Sequence, residues 1–152
     1  MFDPVPPDIV IQRQVEEAIA LGHPLPRWGW KTPVAYNSST GAERIAGWQK
    51  VLIAERLGLL SRGGRCSVCH SASAEQFHSE VYLRSVAVRS VCRSCHYRVH
   101  RRFVDPNGWH VFLGGRARLG DWALCLRTFE LDRQQAEQVA SARDVFAALA
   151  EL

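Results

Sequence analysis

No apolar stretch in this 152-residue chain approaches the roughly 20 residues that a membrane-spanning helix needs, so a spanning helix is excluded. Lysine is almost missing too: Lys31 and Lys50 are the only two among 19 basic residues, and all the rest are arginine. The opening residues MFDPVPPD carry two acids, three prolines and no base, unlike a secretory leader. The expectation is a cytoplasmic protein in a reducing compartment, where the five cysteines read as metal ligands or free thiols before disulfides. There is no internal repeat and no low-complexity tract. With 47% apolar and 22% charged residues, the composition excludes wholesale disorder. A chain of this size buries roughly two thirds of its unfolded surface, so the expectation is one domain, or one domain with a helical appendage, that needs no metal merely to fold.

The charge that is present is unevenly placed. Residues 1–61 are balanced, residues 103–152 are slightly acidic, and residues 62–102 hold eight arginines against Glu75 and Glu80. Between Val81 and Val104 there is no acid at all. Arginine is the planar, bidentate partner of phosphate, and such a segment is the charge footprint of a nucleic-acid surface. Its best representatives are Arg89, Arg93, Arg98, Arg101 and Arg102; the competing reading is an ordinary solvated face.

Periodicity divides the chain into a helical region over 1–61, a cysteine-bearing centre over 62–104 and a helical region over 105–152. Asp8 is placed to cap a helix to about Leu21, with Ile11, Val15, Ala18 and Ile19 on one face and Gly22 as the stop. Thr40-Gly-Ala-Glu43 forms a capping box for a helix to about Leu59 that buries Ile45, Trp48, Leu52 and Leu59. Between these helices Trp28, Trp30, Lys31 and Tyr36 form an aromatic-basic loop, suited either to base stacking or to packing between helices. Asp105-Pro106-Asn107-Gly108 reads as a turn. A short helix is expected around Asp121 to Leu126. A final helix capped by Asp132 carries Ala136, Val139, Ala140, Val145, Phe146 and Leu149 as its stripe.

Cys66-Ser-Val-Cys69 and Cys92-Arg-Ser-Cys95 are two Cys-x2-Cys pairs. Two thiolates at that spacing project from a tight knuckle onto one ion, and two such pairs complete a tetrahedral sulfur site that selects zinc. Four thiolates on a divalent cation subtract two charges, which leaves the centre the most positive part of the chain. With four sulfurs closing the shell, His70 is a knuckle residue rather than a ligand. Cys125 lies outside the pattern and reads as a small buried apolar residue. Residues 76–83 alternate as a strand, with Gln76, His78, Glu80 and Tyr82 on one face; Val86–Val91 reads as a second strand. Cys92–Val104 has helical spacing that stacks His96 and His100 on one face.

The order knuckle, hairpin, helix, carrying CSVC, QFHSEVY and CRSCHYRVHRRF over residues 66–104, resembles the zinc-containing His-Asn-His (HNH) endonucleases. The resemblance implies an α+β fold: a zinc-bound treble clef, hairpin plus helix, flanked by N- and C-terminal helices. It further implies phosphodiester hydrolysis, with His78 as general base and His96 as ligand of a second divalent cation, magnesium or manganese, near His78 and His96. His100 would be a further ligand or a phosphate contact. Two family positions differ here: Phe77 stands where a carboxylate or histidine usually precedes the base, and Ala87 where an asparagine orients it. Asn107 lies too far along the chain to replace that asparagine. Glu80, two residues beyond His78, is the candidate to supply the missing carboxylate. The expected partner is nucleic acid, DNA before RNA, with no membrane and with the flanking helices open to a protein partner. The alternatives are a DNA- or RNA-binding adaptor without turnover and a protein-interaction domain with purely structural zinc.

Overall fold

The computed structural model describes residues 7–117 and 122–152. These form an α+β protein with a small antiparallel two-stranded sheet. In chain order the elements are α1 (Asp8–Ala20), α2 (Gly41–Arg56), β1 (Gln76–Ser79), β2 (Val88–Val91), α3 (Arg93–Arg101), α4 (Pro106–Gly115), α5 (Arg133–Ser141) and α6 (Val145–Ala150). No described helix is long and apolar enough to cross a membrane. The chain divides into two compact units, one of Met1–Ser61 with Ser79–Ala87, the other of Arg62–His78 with Val88–Leu152.

In the first unit α1 is capped by Pro7, and Asp8 is its first helical residue rather than its cap. The Asp8 carboxylate instead pairs with the buried Arg84 guanidinium at 2.7 Å, where it also favours the positive end of the helix dipole. Ile11 and Val15 are fully buried with Ile53, Ala54 and Val86, and Ile19 packs against them. The capping box of α2 is formed: Glu43 N donates to Thr40 Oγ1 at 3.2 Å, and Thr40 N donates to Glu43 Oε2 at 2.8 Å. The helix ends at Arg56, short of Leu59, where Gly58 takes φ +73°. Its buried face is Gly47, Val51, Ile53 and Ala54, while Ile45, Trp48, Leu52 and Leu59 are half-buried. Gly47 decides this orientation, because a Cβ there would lie 2.9 Å from the Tyr82 ring and 3.0 Å from Ser85 Cβ. Only a residue without a side chain lets α2 approach the Tyr82–Arg84 3-10 turn so closely.

The expected strand over 76–83 stops at Ser79, and the one expected from Val86 starts at Val88. Residues 79–87 join the first unit because their polar groups find partners there. Tyr36 and Ser39 exchange backbone hydrogen bonds of 2.9 Å across a turn with Asn37 and Ser38 at positive φ. That turn aims Tyr36 Oη at Glu80 Oε2 (3.1 Å) and Asn37 Nδ2 at Glu80 Oε1 (2.8 Å). Of the aromatic-basic loop, Tyr36 is thus buried, and Trp28 and Trp30 pack edge-to-face on each other and on Trp48 at 5.0 to 6.2 Å. Lys31 is exposed.

In the second unit, Asp105-Pro106-Asn107-Gly108 is a helix start rather than a turn. Asp105 caps α4 by accepting from Gly108 N at 3.0 Å, and Pro106, whose fixed φ suits the first helical position, follows it. The expected last helix is two helices. Asp132 and Gln135 form a capping box for α5, and Asp144 starts α6 by accepting from Phe146 N and Ala147 N. Ala136, Val139, Val145, Phe146 and Leu149 are buried as the stripe required, and Ala140 is half-buried. The expected helix near 121–126 is a 3-10 turn over Trp122–Cys125; Asp121 lies outside the described residues.

Glu80 is 1% exposed, so its carboxyl oxygens rely on the Tyr36 and Asn37 donors in place of water. Glu80→Gln should therefore lower the unfolding free energy by about 2 kcal/mol, read by urea denaturation at neutral pH.

Candidate metal centres

The first cysteine pair is held by backbone geometry. His70 N donates to Cys66 O at 2.9 Å, Val68 N points to Cys66 Sγ at 3.4 Å, and His70 closes the knuckle at φ +56°. Ser67 N then donates to Ser90 O at 2.9 Å, fastening the knuckle to β2. The second pair opens α3: Cys92 is its N-cap, and Cys95 N donates to Cys92 Sγ at 3.4 Å. The four sulfurs, all on buried residues, lie within 4.8 Å of one another. A tetrahedral zinc–thiolate site sets its sulfurs about 3.8 Å apart, so these residues suit a metal ion such as zinc.

Protonation follows from the crowding. Burial opposes ionisation of Cys69, but the Ala72 and Ser71 amides and the neighbouring sulfurs outweigh it and bring its pKa to about 7. Burial pushes the Cys92 and Cys95 thiols up, and for Cys95 the neighbouring Cys92 and Cys66 sulfurs push the same way. Sulfurs so close resist ionising together unless a cation joins them.

A second cluster shares α3 with the first. His78 of β1, His96 and His100 of α3 place ligand nitrogens within 4.8 Å of one another. His96 Nε2 and His100 Nε2 are 3.0 Å apart, near the 3.3 Å or so expected of two imidazoles on one tetrahedral cation. His96 Nδ1 lies 2.8 Å from Gln76 Oε1. An amide oxygen can only accept, so it fixes the His96 proton on Nδ1 and leaves Nε2 as a lone pair facing the cluster. His78 is fully buried, its ring stacked on Trp122 at 5.8 Å and 18°. Alternation had put Gln76 and His78 on one face; nothing in sequence pointed to Trp122.

Other candidate residues are placed elsewhere. Glu80 is not in the histidine group, and its carboxylate is engaged by Tyr36 and Asn37 within the first unit. Arg102 is corrected as a nucleic-acid contact. It is 2% exposed, and its guanidinium is spent on the carbonyls of Arg127 (2.8 Å) and Val99 (3.0 Å) and on the Phe103 ring. Arg93, Arg98 and Arg101 are exposed on α3, with Arg101 against the exposed Tyr97 ring. Arg89 is half-buried on β2 over the Phe146 ring at 4.5 Å. Cys125 is a half-buried free thiol, Ala87 is buried, and Asn107 is exposed on α4.

No protein-family model, curated protein or solved structure matches this chain.

The two clusters predict separable metal occupancy. His96→Ala should leave the metal held by the cysteines unchanged, while any ion taken by the histidine group is lost with the imidazole, as counted by elemental analysis and cobalt titration. Because each thiol must lose its proton to bind, zinc affinity should fall as pH falls. The dependence steepens below about pH 7, where Cys69 is protonated as well, and competition with a chromophoric chelator measures it.

Proposed function

We propose that this protein acts on nucleic acid as a metal-dependent phosphodiester hydrolase on a zinc treble clef of the HNH type. One observation carries the reading. The strand after the first cysteine pair and the helix that begins at the second pair bring His78, His96 and His100 to one point. In this reading Cys66, Cys69, Cys92 and Cys95 would hold zinc. His96 and His100 would hold a second divalent cation, which when bound would supply stabilisation of charge on a phosphoryl or leaving oxygen.

The chain's own groups supply the rest. Gln76 keeps the His96 proton off the nitrogen that faces the cluster. His78 draws the proton from the attacking water, and the flat Trp122 ring against it limits the imidazole's orientations and sheds water from one side. Arg93, Tyr97 and Arg101 recur every fourth residue on the outer face of α3, with Arg98 beside them, and carry the strand by its phosphates. Glu80 serves the fold rather than the cation.

A second reading, a nucleic-acid adaptor without turnover, draws on the complete burial of His78 and on Phe77 and Ala87 where a carboxylate and an asparagine would assist a base. Supercoiled plasmid with magnesium or manganese separates the two. Hydrolysis predicts nicking that His78→Ala reduces by at least about a hundredfold while the cysteine-bound zinc stays in place. Salt-sensitive binding without nicking by the parent protein would leave the adaptor.

A further inference from the structure

A cavity of about 790 Å³ in the second unit lies outside both metal clusters' ligand sets except for Cys66 in its wall. The first knuckle contributes Arg65 and His70, β2 contributes Arg89, the 3-10 turn contributes Trp122 and Cys125, and the start of α6 contributes Asp144 and Phe146. Its polar groups are unbalanced. Arg89 Nε and the indole Nε1 of Trp122, a residue 8% exposed, are both buried and have no acceptor among the described residues. Native proteins rarely leave buried donors unmet, because each forfeits its hydration. Two of them on one cavity call for an acceptor inside it.

The remaining lining groups narrow the choice. Arg65 and Arg89 bring two positive charges. The single acid, Asp144, has its Oδ1 committed to Phe146 N and Ala147 N at 3.0 Å. The Arg89 guanidinium carbon lies over the Phe146 ring, 4.5 Å from its centroid, and this cation–π contact restricts where the guanidinium can move. A guanidinium fork held over an aromatic ring, a second arginine and an indole N–H suit an oxyanion with several oxygens at tetrahedral angles. The volume is far larger than one such ion and falls in the range of sites for small organic ligands.

We propose that this cavity binds an organic phosphate of nucleotide size, either a free nucleotide or the 5′-phosphorylated end of a strand. Arg89, Arg65 and the Trp122 N–H hold the phosphate. Trp122 also lines the histidine cluster through its stacking on His78, so the bound phosphate and the imidazoles share one wall. The assignment stands on the cavity alone and does not require that the imidazoles hydrolyse anything.

Titration calorimetry on the full zinc-loaded chain tests it, with adenosine monophosphate, adenosine, inorganic phosphate, and a tetranucleotide with and without its 5′-phosphate. Adenosine monophosphate should bind with Kd below about 1 mM, and at least about tenfold more tightly than adenosine or inorganic phosphate. Arg65→Ala, on an exposed side chain, and Trp122→Phe, which keeps a stacking ring but removes the donor, should each weaken it by about fivefold or more; Arg89→Gln should abolish it. Tighter binding of the phosphorylated tetranucleotide than of the mononucleotide assigns the strand end, and the reverse assigns the free nucleotide. No heat from any phosphate at about 10 mM would overturn the proposal. So would adenosine binding as tightly as its monophosphate, or parental affinity in all three variants.

Discussion

Four sulfurs brought within ligand distance of one another are the constraint on which the second unit rests. A knuckle and a helix N-terminus, far apart in sequence, must meet, and the short sheet between them has too few backbone hydrogen bonds to force the meeting. A shared divalent ion would supply on the order of 10 kcal/mol, far more than two strands of this length, and would cancel charge that otherwise drives the thiolates apart. The same constraint reaches the imidazoles. His96 follows Cys95 directly, and His100 stands one turn further along α3. Whatever fixes Cys95 fixes them.

The buried polar residues fall into two kinds. Glu80 and Arg84 are buried with defined partners: Tyr36 and Asn37 for the carboxylate, Asp8 for the guanidinium. Such pairs hold a segment in register, because removing one member strands the other in a poorly solvating interior. The imidazoles are different. Three basic nitrogens lie within 4.8 Å of one another, close enough to repel if more than one is protonated. The structure thus separates polar groups paired to order the chain from imidazoles gathered within reach of one another.

Much of this was legible in the residues themselves. The cysteine spacing, the capping box at Thr40, the cap at Asp132, and the stacking of His96 on His100 are local patterns fixed by one or two turns of backbone. Where reading failed, the cause was tertiary. Alternation carried the first strand through Glu80, but side-chain partners more than 40 residues away drew that segment out of the sheet. Helical periodicity expected Ile45, Trp48, Leu52 and Leu59 to be buried, and they are half-buried, because closeness at Gly47 turns the face of Val51 and Ala54 inward. Asp105-Pro106 was read through its turn chemistry although the same dipeptide serves equally as cap and first helical residue. Arg102 looked like its neighbours in a basic run; only burial distinguishes it. Trp122, which covers His78, carried no signal at all, since the contact joins residues from distant parts of the chain.

The excursion of residues 79–87 has a consequence for how this polypeptide is divided. The first unit draws Val86 and Arg84 from the middle of the second, so the two are interleaved along the chain. No single scission yields two whole pieces: a fragment ending at Ser61 lacks part of its own interior, and one beginning at Arg62 carries a nine-residue orphan. Modular exchange by simple fusion is closed to such a chain, and its parts can be inherited only together.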